Sequence, residues 1–107
     1  MEYNLDELDI FFGVKYKDFT EYESIYYEIK RNNLIFYYYI YYLEDLIKIK
    51  IIYNDERTVI LEVNLSKVDK IVKCIDGGID ILYSEGKRVH IDNEPNFSVT
   101  CGSVPFV

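Results

Sequence analysis

Three residue types are absent from this chain of 107 residues: alanine, glutamine and tryptophan. Alanine is the strongest helix former, so its absence beside many isoleucine, valine and aromatic residues favours β-structure. The abundant types, with 15 isoleucines and 12 tyrosines among them, have AT-rich codons, which indicates an AT-rich bacterial or phage gene. Because codon bias by itself accounts for many tyrosines, their number is no argument for a function.

Signals for secretion, membrane insertion and metal binding are also missing. Residues 1–7 lack the basic and apolar regions of a signal peptide, and the longest apolar run, residues 34–43, is too short to cross a bilayer as a helix. The two cysteines, Cys74 and Cys101, form neither a disulfide framework nor a metal-binding pair. We therefore expect a cytoplasmic protein with free thiols, no cofactor and no metal.

The charge of the chain is predominantly of one sign. There are 19 acidic and 12 basic residues, a net charge of −7, and phosphate contacts need clustered lysine and arginine. Neither nucleic acid nor a membrane is therefore expected as a direct partner. Half of the residues are hydrophobic, so the chain can bury a core, and its length predicts a single domain over residues 1–107.

The clearest local pattern predicts a β-hairpin between residues 34–43 and 46–53. Alternate residues are apolar in both strands, and only a loop with an even number of residues places the two apolar rows on the same face. We predict that Glu44 and Asp45 form a two-residue loop, which pairs Tyr38 with Ile51.

The two faces of this hairpin differ in chemistry. Tyr38 and Tyr42 belong to the predicted core face. The opposite face carries three tyrosines and two lysines: Tyr37, Tyr39, Tyr41, Lys48 and Lys50. We expect the lysines to be largely exposed, and these tyrosines either lie under another element or form a surface patch.

The remaining elements are predicted from turn and capping signals. Residues 59–63 continue the sheet, with residues 59, 61 and 63 on the core face, and Ser66 caps a short helix that Gly77 and Gly78 end. Further strands cover residues 79–83, 88–92 and 97–101. Residues 20–31 fit a helix or a strand, and we favour the strand. The predicted fold class is α+β, a mostly antiparallel β-sheet with one short helix packed on it.

Residues suited to catalysis are few. His90 is the only histidine, and it alternates outward with Arg88 and Asp92, which is typical of a solvated strand residue. No local motif marks a nucleophilic pair of His90 with Cys74 or Cys101. We predict no catalytic, cofactor-binding or metal-binding residue, and a protein that is not an enzyme.

Charge and tyrosine are distributed unevenly along the chain. Residues 1–28 hold eight acids and two bases, whereas residues 29–107 hold eleven acids and ten bases. Eight of the 12 tyrosines lie between Tyr22 and Tyr42. An acidic cluster accelerates encounter with a basic partner, and tyrosine is well suited to anchor an interface. These two features favour a protein-binding surface.

With an acidic segment from Asp18 to Glu23, this small, tyrosine-rich chain resembles the immunity proteins of bacterial toxin systems, in particular those paired with contact-dependent growth-inhibition toxins. The resemblance lies in size, charge and the lack of catalytic motifs. It implies an inhibitor that binds a basic toxin, such as a nuclease, in the cytoplasm and covers its active site or an adjacent exosite. We expect six residues to contact this partner: Asp18, Glu21, Tyr22, Glu23, Glu44 and Asp45.

Two other classes of function fit the same sequence. A phage-encoded inhibitor, such as an anti-CRISPR protein that mimics nucleic-acid charge, would share the acidic surface. A small enzyme or ligand-binding domain would use Cys101 and His90. Neighbouring genes separate an immunity protein from a phage-encoded inhibitor, because an immunity gene follows a large gene for a secreted toxin, whereas the inhibitor gene lies in a phage operon.

Overall fold

The computed structural model describes residues 1–55, 57–92 and 98–103. Over these residues one α-helix, α1, spans Leu5–Phe12, and a 3-10 turn spans Thr20–Tyr22. The strands are β1 Lys17–Phe19, β2 Ser24–Arg31, β3 Leu34–Tyr41, β4 Leu46–Tyr53, β5 Val59–Leu65, β6 Val68–Lys73, β7 Ile79–Tyr83, β8 Lys87–Asp92 and β9 Ser98–Ser103. They form two antiparallel sheets, β1-β2-β3-β4-β5 and β6-β7-β8-β9. The predicted α+β class is confirmed.

The helix α1 lies where none was predicted, near the start of the chain. Asn4 caps it by accepting a hydrogen bond from the Glu7 amide at 3.1 Å, and Gly13 ends it in the left-handed conformation, with φ 72°. Leu8 and Phe12, one turn apart, are its buried residues. Leu5 and Phe11 are partly buried and pack against the same core, so the short helix docks through four apolar residues.

The helix predicted after Ser66 is wrong, because these residues form β6. A bulge near the start of β6 adds one residue to the strand, so that Val68 pairs with Tyr83 and Ile71 with Ile81 on the same face. Two inward-facing residues three positions apart have the same spacing as residues on one face of a helix. The apolar spacing that predicted a helix is therefore explained by the bulge in this strand.

The hairpin of β3 and β4 forms, but its turn is longer than predicted. Tyr38 pairs with Ile49 rather than with Ile51, and residues 42–45 make a four-residue turn. A two-residue turn of the commonest type needs a positive φ at both central positions, which is costly for a glutamate such as Glu44. In the observed turn only Asp45 has a positive φ, of 50°.

The two faces of the hairpin are nevertheless as predicted, because both turns have an even number of residues. Tyr38 and Ile51 are buried. Tyr42 is not in the core as predicted, since it lies in the turn and is exposed. Lys48 and Lys50 lie on the opposite face but are half-buried rather than largely exposed, because each is flanked in the sheet by a tyrosine of β3.

The strand β5 contributes less to the core than predicted. Val63 lies beside Ile49 and packs against the core, whereas Val59 and Leu61 are exposed. β5 is the edge of its sheet, and a register shift interrupts its pairing with β4 near its first residues. An alternating pattern cannot reveal that a strand lies at an edge.

Buried residues of α1 and of both sheets form one hydrophobic cluster, which includes Phe12, Tyr27, Tyr38, Ile49 and Ile81. The predicted strands at residues 79–83 and 88–92 are confirmed. Of residues 20–31, for which a strand was favoured, residues 24–31 form β2, whereas residues 20–22 form the 3-10 turn instead. β9 covers residues 98–101 of the last predicted strand, and Phe97 lies outside the described residues.

Candidate functional site

The six residues predicted to contact a partner lie at the same end of the five-stranded sheet, Asp18 in β1 and the others in the two turns that follow β1 and β3. β2 begins at Ser24, directly after the 3-10 turn, and its first residues pair with the last residues of β3, for example Ile25 with Ile40. β3 then enters the turn of residues 42–45. The register therefore places residues 18–23 and 42–45 at one end of the sheet, which we call the acidic end.

The first segment of the acidic end, the end of β1 with the turn that follows it, presents acids around an aromatic side chain. Asp18 and Glu23 are exposed, and Tyr22 is 60% exposed. The ring centroid of Tyr22 lies 4.8 Å from that of Phe19, so the tyrosine is supported on one side. The backbone of Glu21 belongs to the 3-10 turn, and its side chain lies outside the described part of the structure.

The second turn combines exposed apolar and acidic side chains. Tyr42, Leu43 and Glu44 are exposed, Leu43 by 68%. Asp45 has a different environment, since its carboxylate accepts a hydrogen bond from the amino-terminal nitrogen at 2.8 Å and its carbonyl accepts the Val68 amide at 2.8 Å. Asp45 therefore ties the turn to β6, and Glu44 is the more accessible of the two predicted acids.

An open groove of about 650 Å³ lies beside the second turn. Its lining includes four carboxylates and one ammonium group, from Glu44, Asp45, Asp69, Glu85 and Lys67. The groove thus extends the negative charge of the acidic end onto the four-stranded sheet. Such a surface favours cationic side chains over phosphates or carboxylates.

A row of aromatic rings covers the outer face of the five-stranded sheet, opposite the core. Tyr37, Tyr39 and Tyr41 follow one another along β3 with centroids 5.8 and 6.2 Å apart, and Tyr26 of β2 lies 5.5 Å from Tyr39. We call these four residues the tyrosine ladder. Phe19 lies 6.4 Å from Tyr39 and connects the ladder to the acidic end. The tyrosines are half-buried by one another and form a surface patch.

Hydrogen bonds hold one side of the tyrosine ladder in place. The Lys17 ammonium donates to Glu28 at 2.9 Å, and the Tyr37 hydroxyl donates to the other oxygen of Glu28 at 3.2 Å. The Lys17 hydrogen bond lowers the pKa of Glu28, and the same contact raises the pKa of Lys17. Burial raises the pKa of Tyr39, so its hydroxyl stays protonated at neutral pH.

His90 lies away from the acidic end, in the four-stranded sheet. Val89 and Ile91 are fully buried, as its predicted outward position requires. The ring is not simply solvated, however, because Nδ1 lies 2.6 Å from Asp80 Oδ1 and Nε2 lies 3.1 Å from Asp92 Oδ2. The hydrogen bond with Asp80 raises the pKa of His90. Asp80 was missed from the sequence, although it is the cross-strand partner of His90.

Cys74 is a free thiol that follows β6, with its Sγ 3.9 Å from Nδ1 of His90. Burial, and then the hydrogen bond with Asp80, raise the pKa of the Cys74 thiol to about 11. The nucleophilic thiolate is therefore scarce at neutral pH, and the geometry gives no support to a catalytic pair of Cys74 with His90. The side chain of Cys101 lies outside the described residues.

The sequence matches no protein-family profile and no curated protein. Among solved structures, a chain of the "Contact-dependent growth inhibition toxin - immunity protein complex from Klebsiella pneumoniae 342" aligns with a TM-score of 0.73 over 94% of each chain. The chain shares the fold of that protein. The two sequences are 20% identical. The resemblance to proteins of contact-dependent growth inhibition, inferred above from size and charge, is thus confirmed at the level of fold.

Within the described part of the chain, no helix is long and apolar enough to cross a membrane.

Proposed function

We propose that this chain is a cytoplasmic immunity protein that binds a contact-dependent growth-inhibition toxin, a basic nuclease, and neutralises it by covering the active site or an adjacent exosite. The fold similarity to a toxin–immunity complex supports this function. The observation that carries it is the acidic end, where two turns separated by some twenty residues place acids and exposed apolar side chains together.

The similar solved structure is a complex of a toxin and an immunity protein. The charge of this chain favours the role of the immunity protein over that of the toxin. A nuclease holds phosphates through lysine and arginine, whereas this chain has a net charge of −7. Asp18, Glu23 and Glu44 are exposed at one end and are suited to contact the cationic groups that otherwise bind nucleic acid. The raised pKa of the Cys74 thiol gives no support to Cys74 as a nucleophile.

The proposed interface combines two physical contributions. The acidic side chains accelerate association, because a cluster of like charge attracts a basic partner before contact; they are Asp18, Glu21, Glu23 and Glu44. Salt shortens the distance over which this attraction acts. Tyr22 provides an anchor, since it is exposed, rigid and backed by Phe19. Asp45 is expected to position the turn and to contact the partner with its remaining acceptor capacity.

The first prediction concerns association. The partner is recovered by affinity purification of the tagged chain from its native host, and a salt series of association rates is measured. Reversing Glu21→Lys and Glu23→Lys should slow association and flatten its salt dependence, and circular dichroism checks that the fold is retained.

A matched double reversal, Glu2→Lys with Glu7→Lys, changes the net charge equally at exposed positions outside the acidic end. It should leave most of the salt dependence in place. An identical salt slope for the wild type and the Glu21/Glu23 variant would show that the acidic end contributes only to solubility.

The second prediction concerns dissociation. Tyr22→Ala should speed dissociation and cost about 1–3 kcal/mol of binding free energy, because a buried tyrosine anchor acts mainly on the dissociation rate. Tyr53→Ala is the control, since Tyr53 is also exposed but ends β4 at the opposite end of the sheet. Equal dissociation rates for the two variants would contradict the assignment of Tyr22 to the interface.

The recovered partner also separates the proposed function from its alternatives. A secreted toxin supports an immunity protein, whereas a host defence nuclease would identify a phage-encoded inhibitor. Hydrolase or transferase activity that is lost in His90→Ala would show that the chain is an enzyme.

A further inference from the structure

We propose that His90, Asp76 and Asp92 bind a divalent transition-metal ion such as Zn²⁺, with His90 Nε2 and one oxygen of each carboxylate as ligands. Asp80 acts as a positioning residue for the histidine. This site lies between the turn that follows β6 and the strand β8, and it does not depend on the proposed function.

The spacing of the three ligand atoms fits a metal ion of this kind. His90 Nε2 lies 3.1 Å from Asp92 Oδ2 and 3.7 Å from Asp76 Oδ2, and the three atoms all lie within 4.8 Å of one another. Metal–ligand bonds of about 2.0–2.1 Å in a tetrahedron put neighbouring ligand atoms roughly 3.3 Å apart. Small side-chain rotations therefore suffice to bring all three atoms to one ion.

Asp80 orients the imidazole as second-layer carboxylates do in metal sites. Nδ1 of His90 lies 2.6 Å from Asp80 Oδ1, so a proton on Nδ1 is held by that carboxylate and the lone pair of Nε2 is directed towards Asp76 and Asp92. In the neutral imidazole, Nε2 then faces two carboxylates that are also acceptors. Either a proton on Nε2 or a metal ion between these groups relieves this repulsion, so the metal competes with the proton for the site.

The backbone at Gly78 leaves room for the cluster. A Cβ atom at this position would lie 2.5 Å from Asp92 Oδ1 and 2.8 Å from His90 Nε2, so any larger residue would displace both ligands. The Gly78 amide also donates to Asp76 Oδ1 at 3.0 Å, which holds the third ligand beside the other two. The turn thus positions Asp76 and makes space for the histidine and the second aspartate.

The donor set selects among metal ions. One imidazole and two carboxylates suit Zn²⁺, Co²⁺ or Ni²⁺, whereas Ca²⁺ and Mg²⁺ take oxygen ligands almost exclusively. Cys74 is not included, because its sulfur lies near Nδ1, the nitrogen that Asp80 occupies, and not near the proposed ligand Nε2. A bound ion would fasten the turn of residues 74–78 to β8.

The test measures binding of Zn²⁺ to the tag-free full chain by calorimetry, with Co²⁺ as a spectroscopic probe. We expect His90→Ala to abolish binding, and Asp76→Asn and Asp92→Asn to weaken it by at least about tenfold each. Asp80→Asn should weaken it by about 10–100-fold, as loss of an orienting carboxylate does. Glu85→Gln removes an exposed acid from the β7–β8 turn and should bind as the wild type does.

Two further measurements separate ligation from a change of fold. Zn²⁺ should raise the Tm of the wild type and not that of Asp92→Asn, an isosteric variant whose circular dichroism should match the wild type. The Co²⁺ spectrum should lack a thiolate charge-transfer band. No Zn²⁺ binding by the wild type, equal affinity in Asp92→Asn, or a thiolate band that disappears in Cys74→Ser would each overturn the proposed ligand set.

Discussion

Phe12→Ala should lower the free energy of unfolding by about 3–5 kcal/mol, as truncation of a buried phenylalanine does. Phe12 is the last residue of α1 and is buried, and its ring centroid lies 4.5 Å from those of both Tyr27 and Tyr38. Removing the ring leaves a cavity between the helix and the five-stranded sheet. Domains of this size have a total stability of roughly 5–15 kcal/mol, so the loss is a large fraction of the whole.

Denaturant unfolding followed by far-ultraviolet circular dichroism measures this change, and Ile10→Ala is its matched control. Ile10 lies in the same helix but is 72% exposed, so its truncation should cost under about 0.5–1 kcal/mol. The hydrogen bond from the buried Tyr27 hydroxyl to Asp9 at 2.7 Å remains in both variants. Equal midpoints for the two variants would mean that α1 does not dock on the sheet through Phe12.

Ile49→Ala should cost about 2–5 kcal/mol, within the range for buried isoleucine. Ile49 lies at the centre of β4 and is 0% exposed, with Tyr38 and Val63 as its neighbours on the adjoining strands. The cost should lie in the upper part of this range, because two sheet neighbours and the core above leave little freedom to fill the space.

Ile75→Ala is the control for Ile49→Ala, since Ile75 is of the same type and fully exposed. It should change the free energy of unfolding by less than about 0.5 kcal/mol. A cost under about 0.5 kcal/mol for Ile49→Ala would contradict the assignment of this face of β4 to the core. The comparison also tests the hairpin, because a slip by one residue would turn Ile49 to the opposite face.

The parts of the fold that could be predicted from the sequence are strands in which apolar and polar residues alternate, because this pattern lies within a few neighbouring residues. The prediction of which residues of β3 and β4 face the core was correct, because any turn with an even number of residues keeps the same residues on that face. The wrong turn length therefore changed the cross-strand partner of Tyr38 but not the face on which Tyr38 lies. The strands β7 and β8 were correct because a glycine-containing turn separates two short alternating runs. In each case the signal lies within a few residues of the element that it predicts.

The elements that were missed depend on contacts between distant residues. β6 gains a bridge to the N-terminal segment, where the Glu2 amide donates to the Asp69 carbonyl and the Ile71 amide donates to the Glu2 carbonyl. Such pairing satisfies the backbone as a strand and outweighs a local helical pattern. The helix α1 is capped at Asn4 and Gly13 but has only 8 residues, about two turns, which is too short for its apolar spacing to establish a helical period.

For the two candidate sites, too, some properties follow from the sequence and others from the tertiary structure. Composition by itself determined that the chain is acidic and rich in β-formers and tyrosine, because these properties are sums over residues. Only the tertiary structure decided which acids lie together, since antiparallel register brings residues 18–23 beside residues 42–45 and His90 beside Asp80. Register is set by the packing of a whole face against the core, and no single segment of sequence contains that information.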